Sequence, residues 1–124
     1  MNTALKREHF KQITDPKARR MYNRLCEACE KRQDGLTDPD QMLVADIAYA
    51  EQLKQLLIQD VEKRGIGEER RNGRQVYWQE NKSPAQIRAF SEQQRKHMAE
   101  LKITPAGRKA ATVEIHDDFD SFPD

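Results

Sequence analysis

Two rows of basic side chains are the part of this chain best suited to chemistry. Lys17, Arg20 and Arg24 recur at three- and four-residue intervals, which the 3.6-residue period places on one helix face. Lys6, Arg7, Lys11 and Arg19 lie close by in sequence, and Arg88, Arg95 and Lys102 form a second row at seven-residue intervals. Such rows neutralise backbone phosphates and release counterions, giving salt-sensitive and weakly sequence-selective binding to nucleic acid. A solvated helix face carries the same pattern, so that plainer reading stands beside it. In a symmetric oligomer each row repeats around the axis, and multivalency favours DNA.

Other reactive residues offer less. Cys26-x-x-Cys29 has the spacing of half a zinc site, but a structural zinc takes four ligands and no second Cys pair exists. On one helix turn the two thiols diverge too far for comfortable disulfide geometry. Cys29 falls on an apolar face and Cys26 at its edge, so core packing is expected. His9, His97 and His116 are scattered, and the chain has no P-loop, nucleophile elbow or His-Glu-x-x-His. No enzyme activity, metal or cofactor is expected.

The elements that must position these rows are helical. At 124 residues the chain allows one compact domain; 36% of residues are hydrophobic, 35% charged and 6% aromatic. Apolar residues recur at helical spacing, giving an all-α class with one small extended element at most. Residues 3–13 form a short opening helix with Leu5, Phe10 and Ile13 as contacts. Asp15-Pro16 caps and starts a helix to about Arg32, with Ala18, Met21, Tyr22, Leu25 and Cys29 on one face and Gly35 beyond its end.

Asp38-Pro39 repeats that punctuation and opens the longest helix, to about Arg64, stopped by Gly65. Its apolar residues cover well over half the circumference, more than an ordinary surface helix buries. One side is therefore expected to meet the chain's own core and another a second subunit, with Leu43, Ile47, Ala50, Leu53, Leu57 and Val61 as candidate oligomer-interface residues. Asp46, Lys54 and Asp60 intrude on this arc, where intersubunit ion pairs are the expected compensation. Asn72-Gly73 is a tight-turn signal. Gln75-Val76-Tyr77-Trp78 after it is extended-prone and Gly67-Glu68-Glu69-Arg70 before it is not, so a short β-hairpin and an ordered loop both fit. Ser83-Pro84 caps a last long helix to about Lys102, whose narrow seam is Ile87, Phe90, Gln94, Met98 and Leu101. The two long helices make a helical hairpin with the N-terminal helices packed alongside.

Formal net charge is +1, but residues 1–33 are strongly basic and residues 112–124 carry five acids with no Lys or Arg. The sequence thus divides into a helical DNA-binding and oligomerisation domain, 1–111, and a disordered acidic tail, 112–124. Phe119 and Phe122 in the tail are candidate partner-binding residues. No apolar run reaches membrane-span length.

Leu36-Thr37 with Asp40 before the longest helix, Gly65 after it, Asn72-Gly73-Arg74, Pro84, and Leu101-x-Ile103-Thr104-Pro105 with Arg108 occur in an order that resembles the small subunit of tailed-phage DNA-packaging terminases. The resemblance spans Tyr22 to Ala111. Relatives often place Asn directly before Pro at the start of the last long helix, whereas this chain has Asn81-Lys82-Ser83-Pro84. The resemblance implies a non-catalytic homo-oligomer, commonly a ring, in the host cell cytoplasm. Its implied partners are double-stranded viral DNA at a packaging start site and the terminase large subunit, an ATPase and nuclease. A helical DNA-binding regulator and an oligomeric interaction protein without a nucleic-acid role are the rival classes.

Overall fold

A computed structural model describes residues 1–103. Four helices and one two-stranded antiparallel sheet follow one another: α1 (Thr3–His9), α2 (Pro16–Glu30), α3 (Asp38–Arg64), β1 (Gly67–Asn72), β2 (Gln75–Glu80) and α4 (Ser83–Glu100). The described residues are thus mainly helical rather than purely α. Leu5, Phe10 and Ile13 belong to the opening segment as expected, but its helix ends at His9.

α3 is the spine. Its 27 residues make a rod of about 40 Å, against which α1, α2 and α4 each pack. The boundaries follow from local chemistry. The Thr37 side chain accepts from the Asp40 amide and the Asp40 carboxylate accepts from the Thr37 amide, a reciprocal capping box; Gly65, at φ 73°, terminates the other end. The cap is therefore Thr37, one residue before the expected Asp38, because the Thr hydroxyl and the third-position carboxylate satisfy two amides together. In α2 the Asp15 carboxylate accepts from the Ala18 amide and Pro16 occupies the first turn, as the sequence indicated.

The core lies where the first half of α3 meets α2. Ala18, Tyr22, Leu25, Cys26 and Cys29 face Val44, Ala45, Ile47 and Ala48, with Ile13 and Leu101 closing the two sides. Both cysteines are free and buried, and burial pushes the Cys26 thiol up to about 12. They are packing residues. Buried Gln41 donates to the Tyr22 hydroxyl (2.8 Å) and to the Asn2 carbonyl (2.9 Å), while His9 Nδ1 lies 2.7 Å from the same hydroxyl. Polar groups so deep are costly unless paired, and these pair with one another, pinning α1 to the core.

Beyond Ala50, α3 and α4 continue as a two-helix hairpin with far less burial. No residue of α3 after Ala50 is buried. The α4 seam does face α3, and its Gln94 is buried because its amide donates to the Ile47 carbonyl (3.0 Å). Lys54 reaches Gln94 Oε1 (2.8 Å) and Glu51 (3.5 Å). At the far end Asp60 accepts from Arg64 (2.7 Å), Ser83 (2.7 Å) and Asn81 (3.0 Å). The charges of Lys54 and Asp60 are thus compensated within the chain, by Glu51 and Arg64 one turn away on α3, with Gln94, Asn81 and Ser83 adding neutral hydrogen bonds. Asp46 is exposed.

Asn81 explains the altered Asn–Pro spacing. Its Oδ1 accepts from the Ser83 amide (3.0 Å) and its Nδ2 donates to the Gly65 carbonyl (2.8 Å), so it caps α4 from two residues upstream. Ser83, the expected cap, is instead the first helical residue and donates its hydroxyl to Asp60.

β1 and β2 pair from Gly67↔Glu80 to Asn72↔Gln75. The extended-averse Gly-Glu-Glu-Arg segment is a strand after all, since cross-strand pairing overrides weak local preference. Gly73, at φ 64°, takes the first central turn position, the II′ pattern, while Asn72 stays in the strand.

Candidate nucleic-acid and assembly surfaces

The α2 row survives as a surface. Lys17, Arg20 and Arg24 are exposed along one side of α2 and line a groove of about 520 Å³, floored by Met21, Leu25 and Met98. Among the described residues none of the three forms an ion pair; Lys17 makes a long hydrogen bond to Gln55 (3.4 Å). Glu51, also in the groove, is raised by burial, but hydrogen bonds from Gln55 and Gln94 and the nearby Lys54 charge more than offset this and hold it ionised. The groove therefore has a basic rim and one carboxylate, whose charge Lys54 offsets.

The neighbouring cations divide. Arg7 is exposed. Lys11 pairs with Glu8 at 3.0 Å and stays solvent-facing. Lys6 is half-buried with its ammonium 5.3 Å from the Phe10 ring centroid. Arg19 is structural, donating to the carbonyls of Ile13 (2.7 Å) and Phe10 (2.9 Å) and stacking over the Phe10 ring. Those bonds hold the α1–α2 joint, so Arg19 leaves the phosphate-binding set.

The second row is weaker. Arg88 and Arg95 are exposed on α4, and Arg95 pairs with Glu92 (3.0 Å). Lys102 lies beyond the end of α4 at φ 59°, so the seven-residue repeat is not continued on a helix face.

The candidate interface residues on α3 also separate. Ile47 and Ala50 are buried inside the protomer, and half-buried Leu43 packs on the core. Leu53 and Leu57, by contrast, line an open apolar groove of about 450 Å³ together with Leu56, Ala89 and Phe90. Leu56 is 59% exposed, and Val61 is half-buried farther along the same rod. The apolar arc is thus divided end to end: the first half feeds the protomer core and the second half lies open.

One feature escaped sequence reasoning. Arg32 donates to the carbonyls of Leu101 (2.6 Å), Gly35 (2.6 Å) and Cys29 (3.3 Å) and to the Asp40 carboxylate, binding three helix ends together. Burial raises the Asp40 carboxyl, but the Thr37 hydroxyl and Arg32 overcome it and hold the group ionised. No periodicity signal marks this hub. The β-hairpin, one of the two alternatives the Asn72-Gly73 signal left open, stands fully in solvent: every residue from Glu68 to Glu80 is exposed, Trp78 at 61%.

Among the described residues no group of His, Cys, Asp and Glu side chains is arranged to hold a metal, and no helix is long and apolar enough to cross a membrane. Phe119 and Phe122, the acidic tail 112–124 and the Thr104-Pro105…Arg108 motif lie outside the described residues. A family model described as phage terminase, small subunit, matches residues 18–118. No curated protein and no solved structure gives a match.

Proposed function

The chain belongs to the phage terminase small-subunit family, and from that premise we propose that it is the DNA-recognising, non-catalytic component of a packaging machine. It assembles as a ring-shaped homo-oligomer, binds double-stranded viral DNA at the packaging start site, and recruits the large ATPase and nuclease subunit in the host cell cytoplasm. The observation that carries the assembly half is the open apolar groove of Leu53, Leu56, Leu57 and Phe90. A helix pair with that much apolar surface facing water is stabilised by a second copy laid along it. Lys17, Arg20 and Arg24, free of carboxylate partners among the described residues, support the DNA half. The acidic tail, repelled by phosphate, is assigned to the large subunit, with Phe119 and Phe122 as anchors.

Light scattering tests the assembly. Wild-type protein is expected above monomer mass at micromolar concentration, and Leu57→Glu is expected to lower that mass while keeping helical circular dichroism, since a desolvated charge there has no partner. A wild-type monomer at that concentration would refute the oligomer. Neutralising Lys17, Arg20 and Arg24 together should reduce the slope of log affinity against log salt by about one unit per charge removed; an unchanged slope moves the contact elsewhere.

A further inference from the structure

We infer that the tip of the β-hairpin is a DNA-inserting ribbon, which enters the major groove of the duplex and adds base reading to the phosphate contacts of α2. This rests on the DNA-binding reading above and supplies a site that reading does not contain.

Charge is segregated along the ribbon. Residues 70–77 contain Arg70, Arg71 and Arg74 and no acid, whereas the three residues nearest the helices on each strand contain Glu68, Glu69 and Glu80 and no base. Arg70 pairs with Glu68 at the boundary (2.6 Å), an exposed contact of small worth that a phosphate can replace. Arg71 and Arg74 make no ion pair among the described residues.

The dimensions agree with a groove. A major groove about 12 Å wide and about 8.5 Å deep admits a two-stranded ribbon. At about 3.3 Å per residue, that depth takes up between two and three residues of each strand. The basic segment, through Arg70 on one strand and Tyr77 on the other, has that reach. The acids begin one pair farther back, at the rim, where they limit insertion by repulsion.

The register also sorts side chains by face. Arg70, Asn72, Gln75 and Tyr77 share one face of the ribbon, because Asn72 pairs with Gln75 and Arg70 with Tyr77. Asn and Gln amides match the adenine edge, and Arg the guanine edge. Arg71 on the opposite face and Arg74 in the turn are placed for the flanking phosphates. The ribbon is held at its foot: the Asn81 amide donates to the Ile66 carbonyl (2.9 Å), and the Trp78 ring lies so close over Gly67 that a Cβ there would collide with it.

The test uses full-length protein and two double variants, with a randomised duplex pool and a duplex selected from it by the wild-type protein. Arg71→Ala with Arg74→Ala is expected to lower the salt slope by about two, on both duplexes. Asn72→Ala with Gln75→Ala should leave the slope unchanged and reduce preference for the selected duplex roughly tenfold. Circular dichroism identical to wild type shows that the helical body is intact, as expected for exposed positions. A wild-type salt slope in the arginine variant, with wild-type binding itself normal, overturns the ribbon while leaving the α2 reading standing. If that variant keeps its DNA slope but loses oligomer mass or large-subunit binding, the ribbon is a protein contact and the inference is also overturned. Absence of any wild-type DNA binding would remove the underlying reading as well.

Discussion

The two halves of α3 are the same helix under different obligations. From Gln41 to Ala50 it is covered by α1, α2 and the end of α4, and six of its residues are buried. From Glu51 to Arg64 its main neighbour is α4, with Gln52 and Gln55 reaching Thr14, Asp15 and Lys17 by hydrogen bonds; none of its residues is buried, and a polar knot of Asp60, Arg64, Asn81 and Ser83 holds the end. The first half is stabilised by desolvation within one chain, and the second by hydrogen bonds, with Leu53, Leu56 and Leu57 left lining an open groove. Hydrophobicity alone does not distinguish them; what lies opposite does.

Substitutions should expose that asymmetry. The largest effect is expected from Tyr22→Ala, which empties the fully buried aromatic site and removes one of the partners of Gln41: a loss of about 3–5 kcal/mol in denaturant unfolding. Leu56→Ala, at a mostly exposed position, should change the unfolding free energy of the dissociated protomer by less than about 0.5 kcal/mol. Equal losses at the two positions would erase the distinction between the halves.

Acid sharpens it further. The Arg64 guanidinium, with Ser83 and Asn81, holds the Asp60 carboxyl well below its ordinary 3.8. Its stabilising contribution is therefore complete above that value and is lost as pH falls toward the depressed one. Hydrogen-exchange protection factors at the start of α4, corrected for the intrinsic rate, should fall below about pH 4 in wild type, and Asp60→Asn should flatten that dependence. His9 behaves similarly in the other half. Burial lowers its pKa from 6.5, partly opposed by Asp46 and Glu8, so protonation disfavours the folded form once pH drops below that value. An NMR titration of the ring should give a midpoint below 6.5; a higher midpoint would contradict its packing against Tyr22.

The smallest change is expected at the ribbon foot. Gly67→Ala should displace the exposed Trp78 ring and red-shift its fluorescence, with a global stability change of less than about 0.5 kcal/mol. An unshifted spectrum would mean that the ring does not rest there.

Much of this was legible in the residues themselves. Pro39 and Gly65 bound α3 to within one residue because caps act locally, and the α4 seam was visible because Gln94, Met98 and Leu101 keep helical spacing. What was not legible depends on distant partners. Asp60 and Ser83 are 23 residues apart, and Arg32 meets a carbonyl 69 residues away; neither separation leaves a periodic trace. β1 was obscure because Glu68-Glu69-Arg70-Arg71 acquires strand geometry only from its partner. The α2 cations could be grouped on a face, but Arg19 could not be removed from them without knowing where the Phe10 and Ile13 carbonyls lie.

Arg32 also ties the fraying of three helix ends to one another. Its guanidinium donates to the Cys29 carbonyl at the close of α2, to the Leu101 carbonyl at the close of α4 and to the Asp40 carboxylate in the first turn of α3. Opening any one of these ends strips a partner from the charge that the other two share, so the three ends open together rather than one by one.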